Sequence, residues 1–193
     1  MFKPTATTLD FADIQLRPLT LNDVEIFHHC ANDDRIWTWM TPNPCTTLAA
    51  TEQWITDALN ADNSVPFVII DKKTGQMAGS TRYLNIKPAD YGLEIGHTFL
   101  NPRFWRTHVN TQNKFCLIRH AFEELKAIRV ALRTHEQNQR SRNAIGRIGA
   151  EFEGILRNHR IMATGKRRNT AVFSIIDSQW PQVKQQLLNR IKK

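Results

Sequence analysis

The chain has 193 residues, 41% of them apolar and 23% charged, with a formal net charge of +8 and a pI near 9.8. That length and apolar share suit one folded α/β domain and exclude wholesale disorder, and no apolar run approaches the roughly 18 residues needed to span a bilayer. The charge implies an anionic partner, which leaves nucleic acid, the ribosome and an anionic cofactor all open.

The N-terminus, MFKPTATTLDF, lacks the apolar stretch of a secretory signal, and residues 1–11 read as a loose leading segment. Residues 14–18 (IQLRP) alternate as a short strand. Thr20 then caps a helix over 21–30 with Asp23 in its first turn. The stretch ANDDRIWTWMTPNPC is turn-rich, and Thr46 or Thr47 starts a second helix. Residues 65–71 and 76–86, joined by KKTG, read as a hairpin. Residues 92–100 (GLEIGHTFL) make a further strand, with Leu93, Ile95, His97 and Phe99 expected on one face. A helix over 110–125 follows, then a strand over 128–134, a helix over 139–148 and closing strands over 150–156 and 170–176. Pro181 opens a last helix that runs to the end of the chain. No repeat or composition break divides the chain, so residues 1–193 read as one mixed α+β domain.

Cys30, Cys45 and Cys116 lack metal-ligand spacing. An odd count without a signal peptide points to reduced thiols in a cytoplasm. His28-His29 has no such spacing either, and no metal is expected.

Two stretches carry possible chemistry. Residues 101–114, NPRFWRTHVNTQNK, connect a strand to a helix. Unpaired amides and the positive end of a helix dipole favour a phosphate at such a place, yet the same residues suit a solvated basic turn. Residues 135–142, HEQNQRSR, enter another helix, with Asn138 placed to cap it and Ser141 in its first turn.

In this order, the segment LEIGHTFLNPRFWRTHVNTQNKFCLIRHAFEELKAIRVALRTHEQNQRSRNAIGRIGAEFEGILR resembles the GNAT acetyltransferases, and within them the RimJ/RimL-type branch. The tail RRNTAVFSIIDSQWPQVKQQL is similar to that branch too. The resemblance implies a mostly antiparallel seven-stranded sheet with a splayed central strand pair, flanked by helices. It also implies acetyl-CoA as co-substrate and direct attack by a primary amine. The family's Q/R-x-x-G-x-G/A loop falls on Trp105 to Asn110, with His108 in the glycine place. Arg106, Thr107, His108, Val109, Asn110 and Thr111 would then hold the pyrophosphate, and a positive φ at His108 would cost about 1–2 kcal/mol. Phe99 and Leu100 would bond pantetheine from the backbone. Asn138 and Arg142 would join the cofactor site, and Ser141 would bond the departing thiolate, since Ile145 stands where many GNATs carry a tyrosine.

Glu94 is the first candidate for general base, ahead of His97 and His159. Residues 32–45 and 158–168 would flank the acceptor. There Asp33 and Asp34 would attract a cationic amine, and Trp37 and Trp39 would either wall the pocket or pack in the core. The acceptor is expected to be a protein or peptide N-terminus, or a polyamine, aminoglycoside or amino acid. A weakly catalytic GNAT-like domain docking on RNA or the ribosome is the alternative from another class. The resemblance also implies homodimerisation, for which the residues give no separate signal.

Overall fold

The computed structural model describes residues 2–40, 42–162 and 165–192. Its elements in chain order are β1 (Leu9–Phe11), β2 (Ile14–Pro18), α1 (Val24–Ala31), α2 (Asp34–Trp37), α3 (Leu48–Leu59), β3 (Ser64–Asp71), β4 (Gln76–Lys87) and β5 (Gly92–Leu100). Then come α4 (His108–Arg119), β6 (Arg129–His135), α5 (Gln139–Arg147), β7 (Glu151–Ile161), β8 (Arg167–Ile176) and α6 (Trp180–Ile191). The strands form one sheet in the order β1-β2-β3-β4-β5-β6-β8-β7. Only the β5/β6 pair is parallel.

The sheet has eight strands where seven were expected. The extra one is β1, which pairs with β2 from Leu9↔Leu16 to Phe11↔Ile14. Phe2 is 3% exposed and belongs to the main core, so the leading segment carries more structure than its composition suggested. Three residues with no clear alternation give too little periodicity to read as a strand.

Apolar side chains fill both sides of the sheet. On one side α4 and α6 cover Tyr83, Leu93, Ile95, Val130 and Phe173. On the other, α1 to α3 bring Phe27, Trp37 and Ile55 against Val68 and Phe99. Local caps fix the helices: the Thr47 hydroxyl accepts from Ala50 N at 3.1 Å at the start of α3. A π-helical turn, His120–Glu124, ends α4. The fully buried Tyr83 hydroxyl donates to the Leu117 carbonyl at 2.6 Å and lies 3.1 Å from His120 Nδ1, so a side chain from β4 satisfies groups at this irregular turn.

The decisive irregularity is in β5. Arg82 pairs with Gly96, but Ser80 pairs with Phe99, so β5 carries one extra residue between them. His97 takes up the bulge at φ 45°. Side chains beyond it change sides: Phe99 joins Phe27 and Trp37 rather than sharing a face with Leu93 and Ile95, which corrects the alternation expected for this strand. Gly79 permits the close approach of β5, because a Cβ there would overlap the Phe99 carbonyl oxygen and sit 3.0 Å from Leu100 Cα.

The bulge also turns Thr98 toward α4, where Lys114 donates to its hydroxyl at 2.7 Å; Thr81 lies 2.7 Å from the same hydroxyl. Lys114 is 7% exposed, and burial pulls its amine down to about 7 from 10.5. The unfolded chain therefore binds more protons between those values, and stability rises with pH across that window. Below pH 7 the full penalty of burying the ammonium is present. Lys114→Met is expected to raise the unfolding free energy at pH 6–7 by on the order of 1–4 kcal/mol, with the gain shrinking toward pH 10. Urea denaturation of both proteins at several pH values checks this, and a pH-independent difference would contradict it.

Candidate functional site

The parallel pair β5/β6 is short. Its register runs Gly92↔Arg129, Leu93↔Val130 and Glu94↔Ala131, and stops. Beyond Glu94 the bulged β5 stays with β4 as far as Gly79↔Leu100, while β6 stays with β8 as far as His135↔Thr170. The two strands thus part and leave a wedge between residues 95–100 and 132–135, with backbone groups of β5 facing it unpaired by any strand. Such an edge can bond an extended amide-bearing chain as an added strand would. Phe99 and Leu100 lie on this edge; the Leu100 carbonyl accepts from Trp105 Nε1 at 2.8 Å.

At the C-terminal end of β5, residues 101–107 lead into α4. Thr107 caps the helix: its hydroxyl accepts from Val109 N at 3.4 Å and donates to the Phe104 carbonyl at 2.8 Å. His108 is the first helical residue and takes ordinary helical φ. The positive φ of this loop, 62°, belongs to Arg106 instead. The His108 ring turns away to the β3 end, with Nε2 3.0 Å from the buried Asp71 carboxylate. The cost that a positive φ at His108 would have carried is thus absent, and its side chain anchors α4 to the sheet. The first-turn amides of His108 and Asn110 keep no intrahelical partner, and a phosphate has a place there. A cleft of about 570 Å³ adjoins them, lined by Asn110, Thr111, Ala144, Arg147, Ile148 and Arg190, among others.

On the far side of the wedge, Asn138 caps α5, its Oδ1 accepting from Ser141 N at 3.0 Å. This leaves the Asn138 amide group and the Ser141 hydroxyl to meet a ligand. Arg142 is engaged elsewhere, donating to the Glu136 carbonyl at 3.0 Å and lying over the Phe152 ring. Ile145 is buried in the core. Arg140 stacks over Trp105 at 4.2 Å, so a contact between side chains joins α5 to the loop before α4.

Glu94 sits where the strands begin to part. It is 6% exposed, accepts from Asn85 Nδ2 at 2.8 Å and lies 3.3 Å from Arg133 Nε. That Arg133 nitrogen is within ion-pair distance but out of line for a hydrogen bond. His97 is drawn down to about 4 by burial and then by the charges of Arg82, Arg160 and Arg168, so its imidazole is neutral at pH 7. His159 Nδ1 lies 3.1 Å from the Thr170 hydroxyl.

The residues expected to attract a cationic amine are otherwise engaged. Asp33 caps α2 and pairs with Arg35 at 2.6 Å, and Asp34 accepts from Asn43 at 2.9 Å. Trp37 packs between Trp54 and Phe99 as core, while the Trp39 ring lies tilted against His135 at 5.0 Å, at the end of β6. The expected turn over 158–168 includes positions 163 and 164, which lie outside the described residues. Burial raises the thiols of Cys45 and Cys116 to about 11 and of Cys30 to about 12, which makes all three unreactive packing groups. Among the described residues no cluster of three or more His, Cys, Asp or Glu is arranged to hold a metal.

Sequence reading missed Arg82, whose signal was a lone charge inside the strand-like run QMAGSTRYLNI, and Lys114 as a buried amine. It also missed Asp71 as the partner of His108, a contact between residues 37 apart that no spacing reveals.

The Acetyltransferase (GNAT) domain family matches residues 13–151. The structure is similar to a GCN5-related N-acetyltransferase from Brucella melitensis, with a TM-score of 0.93 and 30% identity over 98% of this chain and 87% of that one. It shares its fold with Mycobacterium smegmatis RimJ in complex with CoA-disulfide (TM-score 0.79, 18% identity, 96% and 93% covered). The same holds for ribosomal-protein-S5-alanine acetyltransferase from Vibrio fischeri (TM-score 0.73, 16% identity, 90% and 98% covered). No curated protein sequence matches the chain. With its strands parting beyond Glu94 and this likeness along nearly its whole length, the chain belongs to the GNAT family and is an N-acetyltransferase.

Proposed function

We propose that the protein transfers the acetyl group of acetyl-CoA to a primary amine, with the α-amine of a peptide or a small amino compound as acceptor. The observation that carries this reading is the wedge between β5 and β6, continuous with the first-turn amides of α4. In this reading the pantetheine arm lies along the free edge of β5 at Phe99 and Leu100. The pyrophosphate meets the amides from Arg106 to Thr111, and the nucleotide end extends toward Arg147 and Arg190 in the adjoining cleft. Asn138 faces the arm from the opposite side. Acetyl-CoA supplies an acetyl group activated as a thioester. RimJ and the S5-alanine enzyme share only the fold at their level of identity, so they leave the acceptor open.

Glu94 takes a proton from the acceptor ammonium, directly or through water, and frees the nitrogen lone pair. The nitrogen attacks the thioester carbonyl, the C–N bond forms, the C–S bond breaks, and the thiolate leaves and takes up the second proton that the nitrogen gives up. Ser141 donates a hydrogen bond to that sulfur. His97 is a poor proton carrier at neutral pH, because burial and three arginines keep it in one protonation state. Glu94, with an arginine and an asparagine fixing its orientation, is the better placed group.

Titration with CoA, followed by thiol release from acetyl-CoA with a panel of amines, tests the reading; no binding at millimolar CoA would overturn it. Glu94→Gln is expected to lower kcat by roughly 100-fold or more at pH 7. The deficit should shrink as pH approaches the acceptor's own pKa, near 8 for an α-amine, because less of the amine then needs a base. A deficit constant from pH 6 to 9 would make Glu94 a structural residue. In the loop, Arg106→Gly and Arg106→Ala remove the same guanidinium, but only alanine keeps a Cβ at positive φ. The glycine variant should be the more stable by about 1 kcal/mol, read from thermal unfolding, while His108→Gly should lose stability with the Asp71 contact.

A further inference from the structure

The strand registers place an unusual set of charges on one face of the sheet. Leu84 and Arg82 of β4 lie opposite Glu94 and Gly96 of β5, and Glu94 lies opposite Ala131 of β6. Two residues on, Arg133 pairs with Val172 of β8, and Arg168 on the same strand pairs with Arg160 of β7. Partners across a ladder share a face, as do alternate residues along a strand. Five strands therefore deliver Arg82, Glu94, Arg133, Arg168 and Arg160 to the side of the sheet on which α1 to α3 pack against β3 to β5. Glu153 stands on the same face but is taken by Arg129, which leaves these four arginines with Glu94.

Burial makes the imbalance costly. Arg82 is 8% exposed, and its guanidinium stacks over Trp54 at 4.3 Å. Arg82, Arg133 and Arg168 each bury an Nε that finds no hydrogen-bond partner among the described residues. Arg133 at least has Glu94 beside it, whereas no described carboxylate lies within ion-pair distance of Arg82, Arg160 or Arg168. Burial and the neighbouring Arg160 lower the pKa of Arg168, and burial alone brings Arg82 down to about 10. Buried charges in folded proteins are ordinarily paired. Arg82, Arg160 and Arg168, left without a carboxylate partner among the described residues, could hold an anion that the chain itself does not supply.

We infer that the acceptor amine carries a carboxylate a few bonds from its nitrogen, held by Arg82, Arg160 and Arg168 while the amine faces Glu94. The inference rests on the acetyltransferase reading and narrows its substrate class. Arginine suits this role because its planar fork matches a carboxylate. The same field disfavours polyamines and aminoglycosides, whose extra cations would meet three arginines and no free acid. It also reverses the expectation that Asp33 and Asp34 draw a cationic acceptor.

The test compares initial rates of thiol release with acetyl-CoA and dipeptide amides that differ only in their first residue: Glu, Asp, Ala or Lys. Free glutamate, free alanine and spermidine complete the panel. Acidic dipeptides are expected to exceed the Ala and Lys dipeptides in kcat/KM by about tenfold or more, mainly through KM. If free alanine matches them, an α-carboxylate is the group recognised; if it does not, a side-chain carboxylate is. Arg160→Ala, at an exposed position, and Arg82→Met, which keeps an apolar stem on Trp54, should each cut the acidic-to-neutral ratio by at least about tenfold. CoA binding by calorimetry separates the two levels of the argument. With CoA bound, equal or better rates for the Ala or Lys dipeptide amide or for spermidine overturn the inference alone, as does a ratio unmoved in Arg160→Ala. Failure to bind CoA removes the acetyltransferase reading beneath it.

Discussion

The site depends on one extra residue in β5. A regular strand would have kept Phe99 under α4 and continued the ladder with β6. The bulge at His97 turns the strand toward β4, so that β6 loses its partner after Glu94↔Ala131. Bulges bend a strand and raise its local twist, which converts a continuous parallel pair into a wedge. The bend is held from behind, because Gly79 lets the Phe99–Leu100 backbone come closer than any side chain would allow. It is also held from within: Phe99 packs against Phe27 and Trp37 on one side, and Thr98 receives Lys114 on the other. An opening in the middle of a sheet persists because the strands beside the gap keep their outer partners, β5 on β4 and β6 on β8.

The two ends of that wedge differ in electrostatics. At the α4 end, backbone amides and the helix dipole favour anions with little help from buried charge. At the Glu94 end, charged side chains dominate, and burial together with the neighbouring arginines keeps His97 neutral and lowers the pKa of Arg168. Lys114 lies beneath the bend on the opposite face, where burial brings its amine down to about 7. It bonds to Thr98 on that side, apart from the arginine face.

The fold was largely legible because its main elements are long enough to show a period. The helices after Thr47 and Asn138 began where their capping residues stood, Thr20 led into a 3-10 turn over Leu21–Asp23 ahead of α1, and the hairpin around KKTG formed. What escaped reading was non-local or too short: β1 with three residues, α2 with four, and the bulge that moved Phe99 to the other core. The candidate site divided in the same way. Asn138, Ser141 and Glu94 stand around the wedge because each is tied to the end or the interior of a readable element. The arginine face did not declare itself, since it draws on five strands whose order in the sheet only the three-dimensional structure gives.

The loop before α4 shows how a residue pattern and a backbone requirement can separate. A glycine in the third place after Trp105 suggests a left-handed turn there, and histidine suggests that the turn is strained. Neither holds, because the left-handed residue is Arg106 and His108 already belongs to the helix. Once helical geometry is reached at His108, a side chain there no longer conflicts with the backbone, provided it leaves the amides open. Asp71 satisfies that condition by drawing the ring sideways to the end of β3. The glycine position has become a tether between the helix and the sheet, which fixes the helix terminus over the wedge. A phosphate-binding turn requires exposed amides held in place; a side chain that anchors the helix can meet that requirement as well as a glycine that merely stays out of the way.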